Sequence, residues 1–290
     1  MFDFVYYPVS AVLRVWHSVF AAVLGPGSGL AWVLAVVFLV ASLRALLVPV
    51  FLKQARTQAA LRRLQPRLAA IQKKYPDDKV RQYEEMRQLR KDNGVNQLAG
   101  CLPMLGQGLV FFALFHVLRS FDRTAPAGHV PFGSTPAPMT AEQNANTANY
   151  FFDAAEVRSF LDAELFGAPL SDTLAGHPSV AMIAVAVTLM LIAAVATHFT
   201  ARASIARQDP AAAQLPLMNT LMLWVFPAGV LLGGALLPVA ILLYWVSNNA
   251  WTLAQQHLVY RRLDAESATA AAQVVRTATA PKPGAKPRRR

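Results

Sequence analysis

Four apolar tracts dominate this sequence and restrict it to folds that cross a lipid bilayer. Residues 30–52 form a tract of 23 residues with one charged side chain, and residues 98–118, 180–199 and 215–258 contain no Asp, Glu, Lys or Arg. A helix needs about 20 apolar residues to cross the roughly 30 Å hydrocarbon core, where its backbone must satisfy its own hydrogen bonds. The tracts therefore predict an all-α polytopic membrane protein.

The longest tract is predicted to form two spans. It exceeds the length of one helix across the bilayer, and Gly233 and Gly234 lie near its middle, between Pro227 and Pro238. Glycine and proline interrupt helices and favour turns. The sequence thus predicts five transmembrane helices. They cover residues 30–52, 98–119, 179–200, 216–232 and 235–257.

Basic residues are unevenly distributed between the spans, and this predicts an orientation. Residues 53–97 carry 12 Lys and Arg against 5 Asp and Glu, whereas residues 120–178 carry 2 against 7. Loops rich in Lys and Arg stay in the cytoplasm. We therefore expect residues 53–97, 201–215 and 258–290 in the cytoplasm and residues 1–29 and 120–178 outside, with the N-terminus out and the C-terminus in.

The segments outside the spans have different predicted structures. Apolar side chains recur with a helical period in residues 1–29, which indicates an amphipathic helix on the outer membrane surface rather than a cleaved signal peptide. Residues 53–97 are predicted to form a helical hairpin with a turn at 75–78. This hairpin is either a solvated connector or a contact site for partners and anionic lipid. Residues 120–178 are expected to be mostly loop, with one amphipathic stretch around 151–166, and the basic tail 258–290 to be disordered.

Apart from Arg119 at the end of the second span, Arg44 is the one charged side chain in the predicted spans. At 1.5 Å per residue it lies about 13 Å below the cytoplasmic end of its helix. An arginine near the middle of a span costs about 2.5–3.5 kcal/mol unless protein or water surrounds it. Because the predicted spans contain no Asp or Glu, we expect Arg44 to face a water-filled cavity with neutral polar groups such as Gln107 and Asn248. The alternative is that backbone carbonyls, including that of Ala45, accept its hydrogen bonds.

A cation in a cavity open to the cytoplasm would transiently receive polar, acidic segments of another polypeptide. A proton-coupled transporter uses intramembrane carboxylates, and an intramembrane hydrolase needs a nucleophile and a base in register. Neither pattern is visible, and there is no nucleotide-binding loop and no Cys/His spacing for a metal. We expect no enzymatic activity, no cofactor, no metal and no DNA partner. A channel or small-solute transporter that uses the same cavity is the alternative.

Three motifs resemble a known family. Residues 42–49 read Ser-Leu-Arg-Ala-Leu-Leu-Val-Pro, residues 94–103 read Gly-Val-Asn-Gln-Leu-Ala-Gly-Cys-Leu-Pro, and residues 243–249 read Leu-Tyr-Trp-Val-Ser-Asn-Asn. In this order, with a basic hairpin between the first two spans, they resemble the YidC/Oxa/Alb family of membrane protein insertases, most closely its actinobacterial YidC-type members. The sequence departs from the family pattern at Gln97 and Leu109, where proline is usual.

The resemblance implies a function around Arg44. Family members hold such an arginine in a hydrophilic groove that is open to the cytoplasm and to lipid and closed to the outside. The groove receives the hydrophilic end of a nascent membrane protein, whose apolar spans then pass into lipid. Gln107, Trp245 and Asn248 would line the groove with Arg44.

The resemblance also implies partners and a location. The partners would be nascent membrane proteins and membrane lipids in the bacterial plasma membrane, and it stays open whether the Sec translocon takes part. The basic tail would bind either anionic lipid or the ribosome. Its last residues are Arg288, Arg289 and Arg290.

Overall fold

The computed structural model describes residues 3–94, 102–124, 138–176, 178–206 and 216–279, and these are largely helical. The helices are α1 Asp3–Leu24, α2 Gly29–Lys74, α3 Lys79–Asp92, α4 Leu102–Arg119, α5 Ala141–Ala145, α6 Ala154–Leu161, α7 Val180–Ile205, α8 Pro216–Thr220, α9 Phe226–Gly233 and α10 Val239–Thr279. A π-helical turn, Leu221–Val225, joins α8 to α9, and a 3-10 turn, Gly234–Leu236, follows α9. Strands β1 Glu164–Leu165 and β2 Ala168–Pro169 pair antiparallel.

Several helices are suited to a bilayer by length and composition. Among the described residues, Asp3–Leu24, Gly29–Lys74, Val180–Ile205 and Leu217–Leu236 are long and apolar enough to cross it. This confirms the predicted all-α polytopic fold class, while the count of five spans stays a prediction. We also retain the prediction that α1 lies at the outer surface, because Arg14 of α1 pairs with Glu156 in the outer segment at 2.8 Å.

The first predicted span and the first hairpin helix form one continuous helix. α2 extends over 46 residues and includes Pro49 and Pro66, so the predicted boundary at residue 52 is not a helix end. Each proline removes one backbone hydrogen bond, but Leu, Gln, Arg and Ala, which favour helix, surround Pro66, and the apolar tract continues on both sides of Pro49. The change from apolar to basic side chains therefore occurs within one helix.

A short turn after α2 leads into α3. The Asp78 carboxylate accepts a hydrogen bond from the backbone N–H of Arg81 at 2.9 Å and caps α3. Leu64 and Leu68 of α2 are buried against Met86 and Leu89 of α3. The two helices thus form a hairpin with a small apolar seam.

The outer segment is more ordered than expected. Residues 120–178 were predicted to be mostly loop, but the described part contains α5, α6 and the β1–β2 hairpin, which with the adjoining chain at 138–176 we call the outer cap. Thr140 with Gln143 and Asp153 with Glu156 form capping boxes that start its two helices. Apolar burial then fixes these helices. The buried aromatic cluster consists of Trp32, Phe121, Phe152 and Phe160.

The outer cap also holds the connection between α9 and α10. The Ala175 N–H donates to the Ala235 carbonyl at 2.9 Å, and the Val239 N–H donates to the Asp172 carbonyl at 3.0 Å. The turn that the sequence places at Gly233–Gly234 is therefore at the same end of the molecule as the outer cap.

The structure corrects the prediction of a disordered tail beginning at residue 258. α10 is 41 residues long and continues to Thr279. Alanine is frequent in residues 265–279, and it has the highest helix propensity. At the start of this extension Val259 is buried and the Tyr260 hydroxyl donates to Gln58 Oε1 of α2 at 3.0 Å. Residues 280–290, with Arg288, Arg289 and Arg290, lie outside the described residues.

Candidate functional site

Arg44 is bound by two neutral side chains of α10. Its Nε and Nη2 donate to Asn248 Oδ1 at 3.0 and 2.7 Å, and its Nη2 also donates to Thr252 Oγ1 at 3.0 Å. α2 and α10 lie side by side and run in the same direction, because Arg44 pairs with Asn248 and, further along both helices, Gln58 pairs with Tyr260. The packing of these two helices thus places Arg44 against Asn248.

Hydrogen bonds from a charged donor are stronger than neutral ones, so these contacts offset part of the cost of an arginine in an apolar bundle. Within the described residues, no carboxylate lies at ion-pair distance from Arg44. The side chain is half-buried. Of the two arrangements the sequence allowed, the structure supplies neutral side-chain partners for Arg44, with Asn248 as predicted. Its positive charge is not neutralised by them.

Three helices surround a recess next to Arg44. The recess contains about 210 Å³ of empty space, part of it continuous with the surroundings. The enclosed part of the recess has room for about one water molecule and not for a peptide segment. The described lining residues are Val40, Leu43, Arg44, Leu47, Val110, Leu114, Tyr244 and Asn248.

Tyr244 is a site residue that the sequence prediction missed. It lines the recess, and its buried hydroxyl has no hydrogen-bond partner among the described residues. Thr252 was missed as well. Tyr244, Asn248 and Thr252 are four residues apart, so they share one face of a helix. That spacing was visible in the sequence and identifies the face of α10 turned toward Arg44.

Trp245, in contrast, points to a different neighbour. It packs against a small cluster of Ala193, Ala194 and Val230, and its ring lies edge-on to Phe111 at 5.8 Å. It is not among the described residues that line the recess. The structure therefore does not bring Trp245 together with Arg44 and Asn248, and its role in a groove stays a prediction.

Gln107 cannot be placed in the same way. It belongs to α4, but its side chain lies outside the described part of the structure. Most of residues 94–103, which carry one of the family-like motifs, is also outside it. Across the described ranges no group of three or more His, Cys, Asp or Glu side chains could hold a metal ion.

Comparison with known proteins identifies the family. Residues 23–266 match the family model described as 60Kd inner membrane protein. The chain belongs to the 60Kd inner membrane protein family. The matched residues include Arg44 and its partners on α10, so the recess lies within the family's common region.

Named relatives of the 60Kd inner membrane protein family agree with the predicted resemblance. The membrane protein insertase YidC of Mycolicibacterium paratuberculosis is 46% identical over 301 residues, which cover 99% of this chain and 84% of that protein. The membrane protein insertase YidC of Mycobacterium leprae is 46% identical over 300 residues, covering 99% and 77%. That of Streptomyces avermitilis is 32% identical over 272 residues, covering 90% and 58%.

Proposed function

We propose that this protein is a membrane protein insertase and that Arg44 receives polar segments of its substrates. The relatives carry that name, and the family description places its members in the inner membrane. The observation that carries the role of Arg44 is that its partners among the described residues, Asn248 and Thr252, are neutral side chains in an apolar helix bundle. A guanidinium paired in this way keeps its full charge and attracts acidic groups.

The small size of the recess determines how a substrate would bind. The recess is too small to enclose a peptide segment, so the substrate backbone would lie along its open side while single polar side chains approach Arg44. Arg44 is 15 residues after Gly29, or about 22 Å along the helix. A hydrophilic segment that reaches Arg44 from the cytoplasm has therefore already entered the hydrocarbon core while it is still in contact with water.

The outer cap supports a groove that ends inside the membrane. Its buried aromatic cluster and its hydrogen bonds to the α9–α10 connection fill the outer end of the bundle. Apolar spans of the substrate would leave sideways into lipid, driven by roughly 25 cal/mol per Å² of apolar surface removed from water. The protein lowers the barrier to this transfer and supplies none of its energy.

The finer assignments of place and partners belong to the same proposal. The protein would lie in the bacterial plasma membrane with its N-terminus outside and its C-terminus inside. The hairpin α2–α3 and the tail would meet ribosomes or anionic lipid, and the Sec translocon would act beside it for some substrates. The excess of Lys and Arg in residues 53–97 and 258–290 supports this arrangement.

An insertion assay with purified protein tests the proposal. The substrate is a small single-span protein with an acidic translocated end, added to liposomes and scored by protease protection. We expect Arg44→Ala to slow insertion roughly tenfold, because a hydrogen bond to a charged group contributes about 1.5–3 kcal/mol. Arg44→Lys should retain most activity, since the positive charge rather than the guanidinium geometry attracts the substrate.

A matched control separates the role of Arg44 from a general loss of charge. Lys53→Ala removes a positive charge from the exposed part of the same helix and should leave insertion unchanged. Equal insertion by wild type and empty liposomes would refute the insertase assignment. In that case ion and solute flux across the same vesicles tests the transporter alternative, and the insertase predicts no flux.

A further inference from the structure

The β1–β2 turn carries an exposed aromatic side chain on a strained backbone. Leu165 pairs with Ala168, so Phe166 and Gly167 form a two-residue turn. Both have positive φ, 51° and 81°, as in the type I′ turn that favours Asn-Gly. A bulky residue at positive φ is unusual, yet Phe166 is also 88% exposed. Neither the positive φ nor the exposure to water favours phenylalanine at position 166.

The turn is fixed to the helix bundle. A Cβ at Gly29 would overlap the carbonyl oxygen of Glu164, so β1 lies directly on the start of α2. After β2, the Leu170 N–H donates to the Ala163 carbonyl at 2.8 Å. Ala163 and Ala168 are fully buried. Phe166 is therefore held in one place by its surroundings.

That place is the outer end of a predicted membrane span. A Cβ on Gly167 would lie 3.3 Å from the Cβ of Ala181, in the first turn of α7. α7 begins with Val180, which is 87% exposed. Its exposed apolar side chains continue at every fourth position, in a strip that winds along the helix. They are Ile183, Val187, Leu191, Val195 and Phe199.

A side of a membrane helix that no other part of the protein covers faces lipid. Phe166 extends this apolar side beyond the end of α7. Glu164, two residues earlier on β1, is exposed. A carboxylate this close stays among the head groups, and this limits the depth that Phe166 reaches.

We propose that Phe166 is a lipid anchor of the outer cap. Its ring inserts into the outer leaflet at the boundary between head groups and acyl chains, next to the first turn of α7. The anchor holds the outer cap against the bilayer surface. This proposal does not depend on substrate insertion at Arg44, because Phe166 lies at the opposite end of the molecule.

Photocross-linking tests the contact with lipid directly. The photoreactive phenylalanine analogue p-benzoylphenylalanine is placed at position 166 in the full chain, in liposomes of phosphatidylethanolamine and phosphatidylglycerol. Val187 on α7 is the lipid-facing reference, and Glu142, exposed on α5, is the water-facing reference. We expect lipid adducts by mass spectrometry at positions 166 and 187 and only background at 142. Background at 166 with adducts at 187, or a cross-link from 166 to protein, would overturn the proposal.

A substitution series separates the anchor from the turn itself. Phe166→Asn suits the positive φ better but has no apolar ring, whereas Phe166→Trp keeps an aromatic ring suited to the interface. In liposomes we expect protease to cleave the outer cap of Phe166→Asn several times faster than that of wild type or Phe166→Trp. If the outer cap of Phe166→Asn resists protease as well as that of wild type or better, turn propensity determines the stability of the cap and the anchor is refuted.

Discussion

At the scale of single residues, the function depends on how a charged side chain is kept in an apolar bundle. Asn248 accepts two hydrogen bonds from Arg44 and Thr252 accepts one. A carboxylate in their place would bind the guanidinium more tightly, but it would also neutralise the charge that we propose acts on substrates. Neutral acceptors therefore stabilise Arg44 while its charge stays effective.

Substitution of the two acceptors tests this balance. Asn248→Ala should lower the free energy of unfolding by about 1.5–3 kcal/mol, because a charged donor loses its main partner, and Thr252→Val should lower it less. Thermal unfolding in detergent measures both effects. Ser247→Ala is the control, since the Ser247 hydroxyl donates only within its own helix, to the Leu243 carbonyl at 2.8 Å. An Asn248→Ala protein as stable as Ser247→Ala would contradict the proposed support of Arg44.

The same residues show what the sequence could predict. Arg44 stands out as a charged side chain within an apolar tract, and Asn248 is one of several polar side chains in the spans. The sequence therefore predicts polar surroundings for Arg44 but not which of these side chains it pairs with. The family resemblance predicts Trp245 rather than its neighbour Tyr244 as a groove residue, and adjacent residues on a helix point about 100° apart. Only the packing of α2 and α7 on α10 decides which of the two faces Arg44.

At the scale of elements, the sequence predicts the long apolar helices but not the contacts that hold the outer cap in place. The capping boxes at Thr140 and Asp153 were present in the sequence. The partners of the cap, however, are distant in sequence, such as Trp32 on α2, whose indole N–H donates to Ser159 Oγ at 3.0 Å. Contacts of this kind depend on tertiary packing, so a segment rich in Ala, Pro, Thr and Asn was predicted as loop.

The contact between α2 and β1 makes one glycine essential. In Gly29→Ala the added methyl group would overlap the Glu164 backbone, and overpacking of this kind costs about 1–3 kcal/mol. We expect faster proteolysis of the outer cap and a lower thermal midpoint. Gly27→Ala is a close control, because a Cβ at Gly27 meets nothing within 4 Å. Equal effects of the two substitutions would show that β1 does not lie on α2 as described.

The cytoplasmic hairpin depends on a much smaller apolar seam. Leu68 is 2% exposed and Leu64 is 7% exposed, and truncation of a buried leucine costs about 2–5 kcal/mol. Leu68→Ala should therefore release α3, seen as faster hydrogen exchange across Lys79–Asp92. Val80→Ala, at an exposed position of α3, should leave the exchange unchanged. If Leu68→Ala exchanges like wild type, α3 is held by contacts other than this seam.

At the scale of the whole molecule, the two ends differ in structure and charge. One end has the outer cap, whose contacts reach α1, α2 and the α9–α10 connection. The other has the α2–α3 hairpin and the end of α10, joined through Tyr260 and Gln58. The basic residues collect at the second end, with 12 Lys and Arg in residues 53–97 against 2 in residues 120–178. The distribution of Lys and Arg and the contacts between helices therefore predict the same division of the segments between the two sides of the membrane.

Cysteine labelling tests which side this is. In a Cys101→Ser background, which removes the one native cysteine, a new cysteine replaces either Glu142 of the outer cap or Tyr83 of α3; both positions are exposed. An impermeant maleimide should label position 142 in intact spheroplasts and position 83 only in inverted vesicles, because the basic end stays in the cytoplasm. The reversed pattern would invert the orientation. Labelling of both positions from one side would refute the placement of the two ends on opposite sides, and with it a groove that opens to the cytoplasm and is closed by the outer cap.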